Sequence, residues 1–311
     1  MNTQCGFVAL IGAPNAGKST LLNVLMGQKL AIVTPKVQTT RDIIRGIAIE
    51  GECQLVYMDT PGIFQTKQGF EKAMVDAAWN GARDADVAVL LIDAERASRK
   101  GFNEQEKALL TALNQMKKPK AIWLNKTDRI KKALLLELTQ TLQKMIVPPS
   151  SDGVTIAEAG EEIEIFMGSA LKKEGIDALK SWMVGQMPEG PWMFPEDQVS
   201  DLPMRFIAAE VTREKLFMRL RQELPYGLRV EPEGWEERED GSVKINQIIM
   251  VERDAHKKII LGKQGAQLKE ISQSARHALT QMLDRRVHLF LFVKVVPGWK
   301  AHKEFMPLGS Q

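Results

Sequence analysis

Eight residues constrain this chain more than any other feature: Gly12-Ala13-Pro14-Asn15-Ala16-Gly17-Lys18-Ser19 match G-x-x-x-x-G-K-[ST]. They lie between an apolar run at 7–11 and a segment at 20–26 with helical spacing, in which Leu21, Leu22, Leu25 and Met26 can share a face. Strand, glycine-rich turn and helix start is the context in which such a loop cradles phosphates. The glycines let backbone N–H groups face a phosphate chain, and the helix N-terminus adds positive potential. Lys18 would reach the β- and γ-phosphates and Ser19 would place its hydroxyl on Mg²⁺. Gly12 to Ser19, with Thr20 just beyond, are the candidate nucleotide contacts. A chance glycine turn would lack these flanks.

The rest of the first half continues the alternation. Strands are expected at 43–49 and 54–58, joined by a hairpin at 50–52, and at 87–92, 121–124 and 164–167. Helices are expected over 71–85, 103–115, 133–144 and 176–186. This alternation predicts an α/β domain, a mostly parallel sheet with helices on both faces. Pro188, Gly190, Pro191 and Pro195 then disfavour regular structure. Beyond them the order changes: a long helix over 204–224 stopped by Pro225, strands at 227–237 and 243–253, a short helix at 256–261, a helix over 264–283 and a strand at 287–296. That order predicts a second, α+β domain. With 311 residues, two domains are expected, bounded here as 1–185 and 202–311 with a linker at 186–201.

Two further motifs follow strand ends. Asp59-Thr60-Pro61-Gly62 follows 54–58; Asp59 can hold Mg²⁺ through water, and the Gly62 N–H can sense a γ-phosphate. Asn125-Lys126-Thr127-Asp128 follows 121–124. The Asp128 carboxylate can accept both N–H groups of guanine N1 and N2, which adenine does not offer. Asn125 would tie the base site to the phosphate loop, and the Lys126 stem would pack on the base. Either motif alone is weak; three in order at strand ends are not.

This order resembles the translation-factor-related GTPases of the Ras-like superfamily. The resemblance implies a first switch at Thr39-Thr40-Arg41, with Thr40 as the Mg²⁺ and γ-phosphate ligand and Thr39 as the fallback. It also implies that the backbone of Ser169-Ala170-Leu171 meets guanine O6. The catalytic set is then Lys18, Thr40, Asp59 and Gly62. Ras-type enzymes carry a water-orienting glutamine after that glycine, whereas this chain has Ile63, which cannot polarise water. In several relatives with a hydrophobic residue there, an asparagine matching Asn15 binds a K⁺ ion that stands in for an arginine finger. The alternative is that Asn15 only shapes the loop. Slow, Mg²⁺-dependent hydrolysis of GTP to GDP, faster in K⁺ than in Na⁺, is the expectation.

In the second half, Gly262-Lys263-Gln264-Gly265 forms G-x-x-G between two helical segments. A KH domain uses such a turn to clamp about four nucleotides, because side chains would block the backbone's approach. The net charge of +3 hides a local asymmetry. Residues 231–254 carry eight acidic and three basic side chains, whereas 256–303 carry ten basic and two acidic. That balance favours phosphate contacts. Lys257, Lys258 and Lys263, with Gly262, Gln264 and Gly265, are the candidate RNA contacts.

The full chain resembles the Era-like GTPases, which carry a C-terminal type II KH domain. The resemblance rests on P-N-A-G-K-S, Q-T-T-R, D-T-P-G and N-K-x-D, and on the later segments E-L-P-Y, V-E-R and VHLFLFVKVVPGW. It implies GTP/GDP and Mg²⁺ as cofactors, binding to the 3′ end of 16S ribosomal RNA, and a role in small-subunit assembly. A cytoplasmic location with peripheral contact at the inner membrane is also implied. A monomer is expected, since no coiled-coil heptads are visible. One rival is a GTPase adaptor for an RNA-modifying enzyme, which predicts a stable partner enzyme and weak binding of free RNA. Others are an RNA-binding module with an inactive nucleotide fold, and a nucleotide kinase, which would not explain N-K-x-D. Only Cys5 and Cys53 occur, which excludes a disulfide framework and a cysteine-based zinc cluster. The four histidines lack metal spacing, and no apolar run approaches a membrane span.

Overall fold

The computed structural model describes residues 3–31, 33, 44–59, 85–146, 162–220 and 224–299. The chain gathers into two compact units, one of Met1–Gly27 with Ile43–Asp201 and the other of Gln28–Asp42 with Leu202–Gln311.

The first unit is built on a six-stranded sheet of order β2-β3-β1-β4-β5-β6. The strands are β1 (Gln4–Gly12), β2 (Ile44–Glu50), β3 (Cys53–Asp59), β4 (Val87–Asp93), β5 (Lys120–Asn125) and β6 (Ile163–Met167). All pairings are parallel except the β2–β3 hairpin. Its turn is made by Gly51, whose φ of 62° suits glycine. The central strands read as continuous apolar runs because both faces are covered: Val87 to Ile92 are all buried.

The helices are α1 (Lys18–Leu25), α2 (Ala94–Lys100), α3 (Glu104–Asn114), α4 (Lys132–Ile146) and α5 (Ile176–Gly185). Leu90, Ile92, Ile122 and Leu124 pack under Leu109, Leu110 and Leu113 of α3 and Leu138 and Leu142 of α4. Helix α3 opens with a reciprocal cap, in which Asn103 accepts from Glu106 N and Glu106 accepts from Asn103 N. Helix α2 was not expected. Its start signal is Asp93, whose carboxylate accepts from Arg96 N at 3.0 Å. The helix expected over 71–85 lies outside the described residues except for Ala85.

Residues 186–201 do not stand off as a free spacer. The buried Gln54 carboxamide donates to Phe194 O at 2.8 Å and accepts from Met193 N and Phe194 N at 2.9 and 3.0 Å. Farther on, Ile47 N donates to Val199 O, Ser200 Oγ to Arg45 O, and Arg45 N to the Asp201 carboxylate. The segment thus edges the first unit's sheet along β2.

The second unit carries α6 (Met204–Arg219), β7 (Leu228–Glu237), β8 (Val243–Val251), α7 (Asp254–Leu261), α8 (Ala266–Leu283) and β9 (Val287–Val295). Its sheet has the order β7-β8-β9, with β7–β8 antiparallel and β8–β9 parallel. Helices α6 and α8 close one face over two apolar clusters. One holds Leu216, Leu220, Leu228, Ile249 and Ile271, and the other Val211, Ile245, Ala275, Leu279 and Leu289. The helix expected to run to 224 ends at Arg219. Leu220 turns extended (ψ 150°), and Leu224 to Gly227 form a 3-10 turn. The apolar stripe continues past the helix end because Leu220 and Leu224 are carried into the core by that turn.

Candidate functional site

The phosphate loop joins β1 to α1. Lys18 is buried, and its ammonium donates to Gly12 O at 2.8 Å. Gly17 has φ 103°, and a Cβ there would collide with the Asn125 amide. A Cβ on Gly12 would lie 2.7 Å from Leu91 O. Both glycines are therefore required by close packing, not by flexibility alone. Asn15 is also left-handed (φ 63°) and exposed. Helix α1 starts behind Gly17 with no side-chain cap. An uncapped helix start behind a glycine cradle fits a phosphate chain.

Asn125, at the end of β5, joins this loop to the base-side segments. Its Nδ2 donates to Ala16 O at 2.8 Å, and its Oδ1 accepts from Ala170 N at 3.0 Å. The side chain is buried, so both bonds act in a low-dielectric setting. Lys126 is left-handed (φ 65°), and its ammonium donates to Asn15 O at 2.8 Å. Asp128 lies in a 3-10 turn, Thr127–Arg129. Its carboxylate is 16% exposed and 4.0 Å from Arg129 Nε. Ser169 and Glu174 exchange two backbone hydrogen bonds that close the Ser169–Leu171 loop. Ser169 Oγ accepts from Lys172 N, and the Leu171 side chain is exposed. The structure thus brings Gly12–Ser19, Asn125, Lys126 and Ala170 into one hydrogen-bonded group, with Asp128 two residues beyond Lys126 and Leu171 next to Ala170.

Thr39, Thr40, Arg41, Gly62 and Ile63 lie outside the described residues. The backbone of Asp59 ends β3, opposite Leu10 and Ile44.

Sequence reading missed Asp93. Its Oδ2 accepts from Lys126 Nζ at 2.6 Å while Oδ1 caps α2. In the parallel register Asp93 pairs with Asn125, so two neighbouring strands end on residues of the same network. An acidic residue ending a wholly apolar strand was the available signal. Trp123 was missed too: the Gly168 and Gly175 backbones approach its ring so closely that a Cβ on Gly168 would strike it. Neither cysteine joins the site. Both are buried, and burial pushes the Cys53 thiol up to about 11, away from the reactive thiolate.

In the second unit, α7 ends at Gly262 (φ 70°), where a Cβ would meet Gln267 Cβ at 2.7 Å. Gln264 is left-handed (φ 51°), as is Gly265 (φ 78°). Gly265 has open space where a Cβ would stand, and it starts α8 with no side-chain cap. Ile260 is fully buried while Ile259 beside it is exposed. Lys258 and Lys263 are exposed and Lys257 half-buried, and among the described residues none of the three forms an ion pair. Arg285, counted among the basic residues of this region, is neutralised: its guanidinium binds both oxygens of Glu237. That bond, joined by one from Trp235, holds the Glu237 carboxyl below its usual range.

A family model described as 50S ribosome-binding GTPase matches residues 7–126, and a KH domain model matches 223–300. GTPase Era of Dinoroseobacter shibae is 51% identical over 305 residues, covering 97% of this chain and 93% of that protein. GTPase Era of Rhizobium meliloti is 52% identical over 297 residues, covering 96% and 89%. A crystal structure of an Aquifex aeolicus Era variant bound to GDP and AlF4⁻ superimposes with a TM-score of 0.81 at 36% identity, covering 97% of each chain. A structure of Era in complex with MgGDPNP and nucleotides 1506–1542 of 16S ribosomal RNA gives 0.80 at 36% identity, again over 97% of each.

Proposed function

The chain belongs to the Era family of GTPases, and from that premise we propose that it is a nucleotide-controlled clamp for the 3′ end of 16S ribosomal RNA that assists assembly of the small ribosomal subunit. The observation that carries the RNA half is the turn at Gly262–Gly265, where a helix end opens beside lysines that no carboxylate among the described residues neutralises. Phosphates would lie against that backbone, and bases would enter the aliphatic groove beside Ile259. The structure of a relative with 16S ribosomal RNA supports this choice of ligand.

The chain is a GTP-hydrolysing enzyme, and its residues account for the nucleotide end as follows. Lys18 offsets charge on the β- and γ-phosphates, and the N–H groups at the start of α1 orient them. Asn125 fixes the distance between the phosphate loop and the base loop through its bonds to Ala16 O and Ala170 N, so that Asp128 and the backbone of the Ser169–Leu171 loop meet guanine while Lys18 meets phosphate. Ser19, Thr40 and, through water, Asp59 would hold Mg²⁺, which would supply charge neutralisation at the phosphates. Thr40 and the Gly62 N–H read the γ-phosphate, so its loss on hydrolysis releases both segments. Ile63 supplies no water-orienting group. We assign the added charge compensation to K⁺ at the exposed Asn15, which predicts faster turnover in K⁺ than in Na⁺; equal rates would remove that role.

The protein works as a monomer in the cytoplasm, with peripheral contact at the inner face of the membrane; among the described residues no helix is long and apolar enough to cross one. The test of the RNA reading is Gly262→Asp combined with Gly265→Asp, with crosslinking of the bound RNA in parallel. RNA binding should disappear while GTP affinity holds, and crosslinks in the unmodified chain should map to the 16S 3′ end. Unchanged RNA binding in the variant would refute the clamp.

A further inference from the structure

We infer that the outer face of β9 is a second RNA-binding surface, on which Phe290 and Phe292 each stack one base of single-stranded RNA. The inference rests on the proposed RNA clamp and extends it to a face opposite the helices. Along β9 the side chains alternate: Val287 and Leu289 are buried against α8, while Phe290 and Phe292 are 45% and 55% exposed. Two large rings on one face of an edge strand stay in contact with water, and no other described residue buries them. They stand about 6.6 Å apart along the strand. That is roughly twice the 3.4 Å rise of stacked bases, so the pair suits one splayed base per ring, not a continuous stack.

Charge identifies the occupant. On the same face Lys294 follows Phe292 and His288 precedes Phe290. Lys294 is exposed and forms no ion pair among the described residues. Two of the acids on β7 are already engaged: Glu236 binds Lys244 at 3.1 Å, and Glu231 binds Arg229; Glu233, exposed in the β7 bulge, forms no ion pair among the described residues. Aromatic rings with an uncompensated cation beside them match base and phosphate, the pattern of single-strand platforms. Position supports continuity with the clamp. Strand β9 is the sheet edge, and α7, which leads into the Gly262–Gly265 turn, packs against it. A strand of RNA leaving the turn would pass over that edge onto Phe290 and Phe292.

The test uses the full chain and two kinds of RNA: the segment 1506–1542 of 16S ribosomal RNA, and tetranucleotides drawn from it, which fill only the clamp. Phe290→Ala with Phe292→Ala should weaken binding of the long RNA by about 30-fold or more, with stacking contributing at least about fivefold per ring, and leave the tetranucleotides unaffected. Phe→Tyr at both positions should keep the affinity, whereas Phe→Leu should lose it. Retained tetranucleotide binding shows that the variants are folded. Unchanged long-RNA affinity in the double alanine variant, or full affinity with leucine, would overturn the stacking surface and leave the face to a protein partner. If the unmodified chain bound neither RNA, the clamp itself would fail, a different result.

Discussion

Asn125 is the residue on which the nucleotide site depends most. It has one bond to the phosphate loop and one to the base loop, both buried. Asn125→Ala should leave Ala16 O and Ala170 N unpaired, at about 1–3 kcal/mol each. GTP affinity should fall by at least tenfold in equilibrium titration with the fold retained; wild-type affinity would show that the two loops are placed by other means. This role was legible in the sequence, because a strand-end Asn-Lys-x-Asp in a chain with a phosphate loop has few other uses. The Asp93–Lys126 pair was not legible, since it depends on the register that sets β4 beside β5. At the other end of the chain, Glu237 titrates below the usual carboxylate range chiefly through Arg285, then through Trp235. A depressed carboxylate stabilises the fold above its unfolded pKa, and that contribution is lost as pH falls through the folded value. In Arg285→Ala the Glu237 titration should move up, as read by side-chain NMR; an unmoved titration would mean that Arg285 is not the cause.

Among the elements, the strands were the most readable. Buried parallel strands print apolar runs such as Val87 to Ile92, and motifs at their ends mark the loops that carry the chemistry. Three features did not show in the pattern. Helix α2 is too short for periodicity and is announced only by its cap at Asp93. Helix α6 stops short of its apolar stripe because the core is reached by a turn. The segment 186–201 looked like a spacer because prolines hide the hydrogen bonds it makes through Gln54 and Arg45. Gln54→Leu should therefore loosen it, seen as faster proteolysis near Phe194, without loss of nucleotide binding; unchanged cleavage would show that the remaining bonds suffice. Strand β8 offers the opposite case. Gln247 is fully buried between Ile245 and Ile249, and neither of its amide atoms has a protein partner among the described residues. Gln247→Leu should raise the thermal stability of the second unit by about 1–3 kcal/mol; a drop would reveal a partner that the amide needs.

For the whole molecule, a net charge near zero conceals a division of labour. The first unit gathers its nucleotide-site residues at strand ends, and the second carries the basic helix turn and the strand face proposed above for RNA. A switch of this kind requires the two ligands to be coupled, so each must change the other's affinity by the same factor, typically 5–150-fold. The most direct measurement is the affinity of the full chain for RNA 1506–1542, in parallel with a non-hydrolysable GTP analogue and with GDP. The account predicts binding at least about fivefold tighter with the analogue, matched by an equal gain in analogue affinity when RNA is present. The same RNA affinity in both nucleotide states would contradict it.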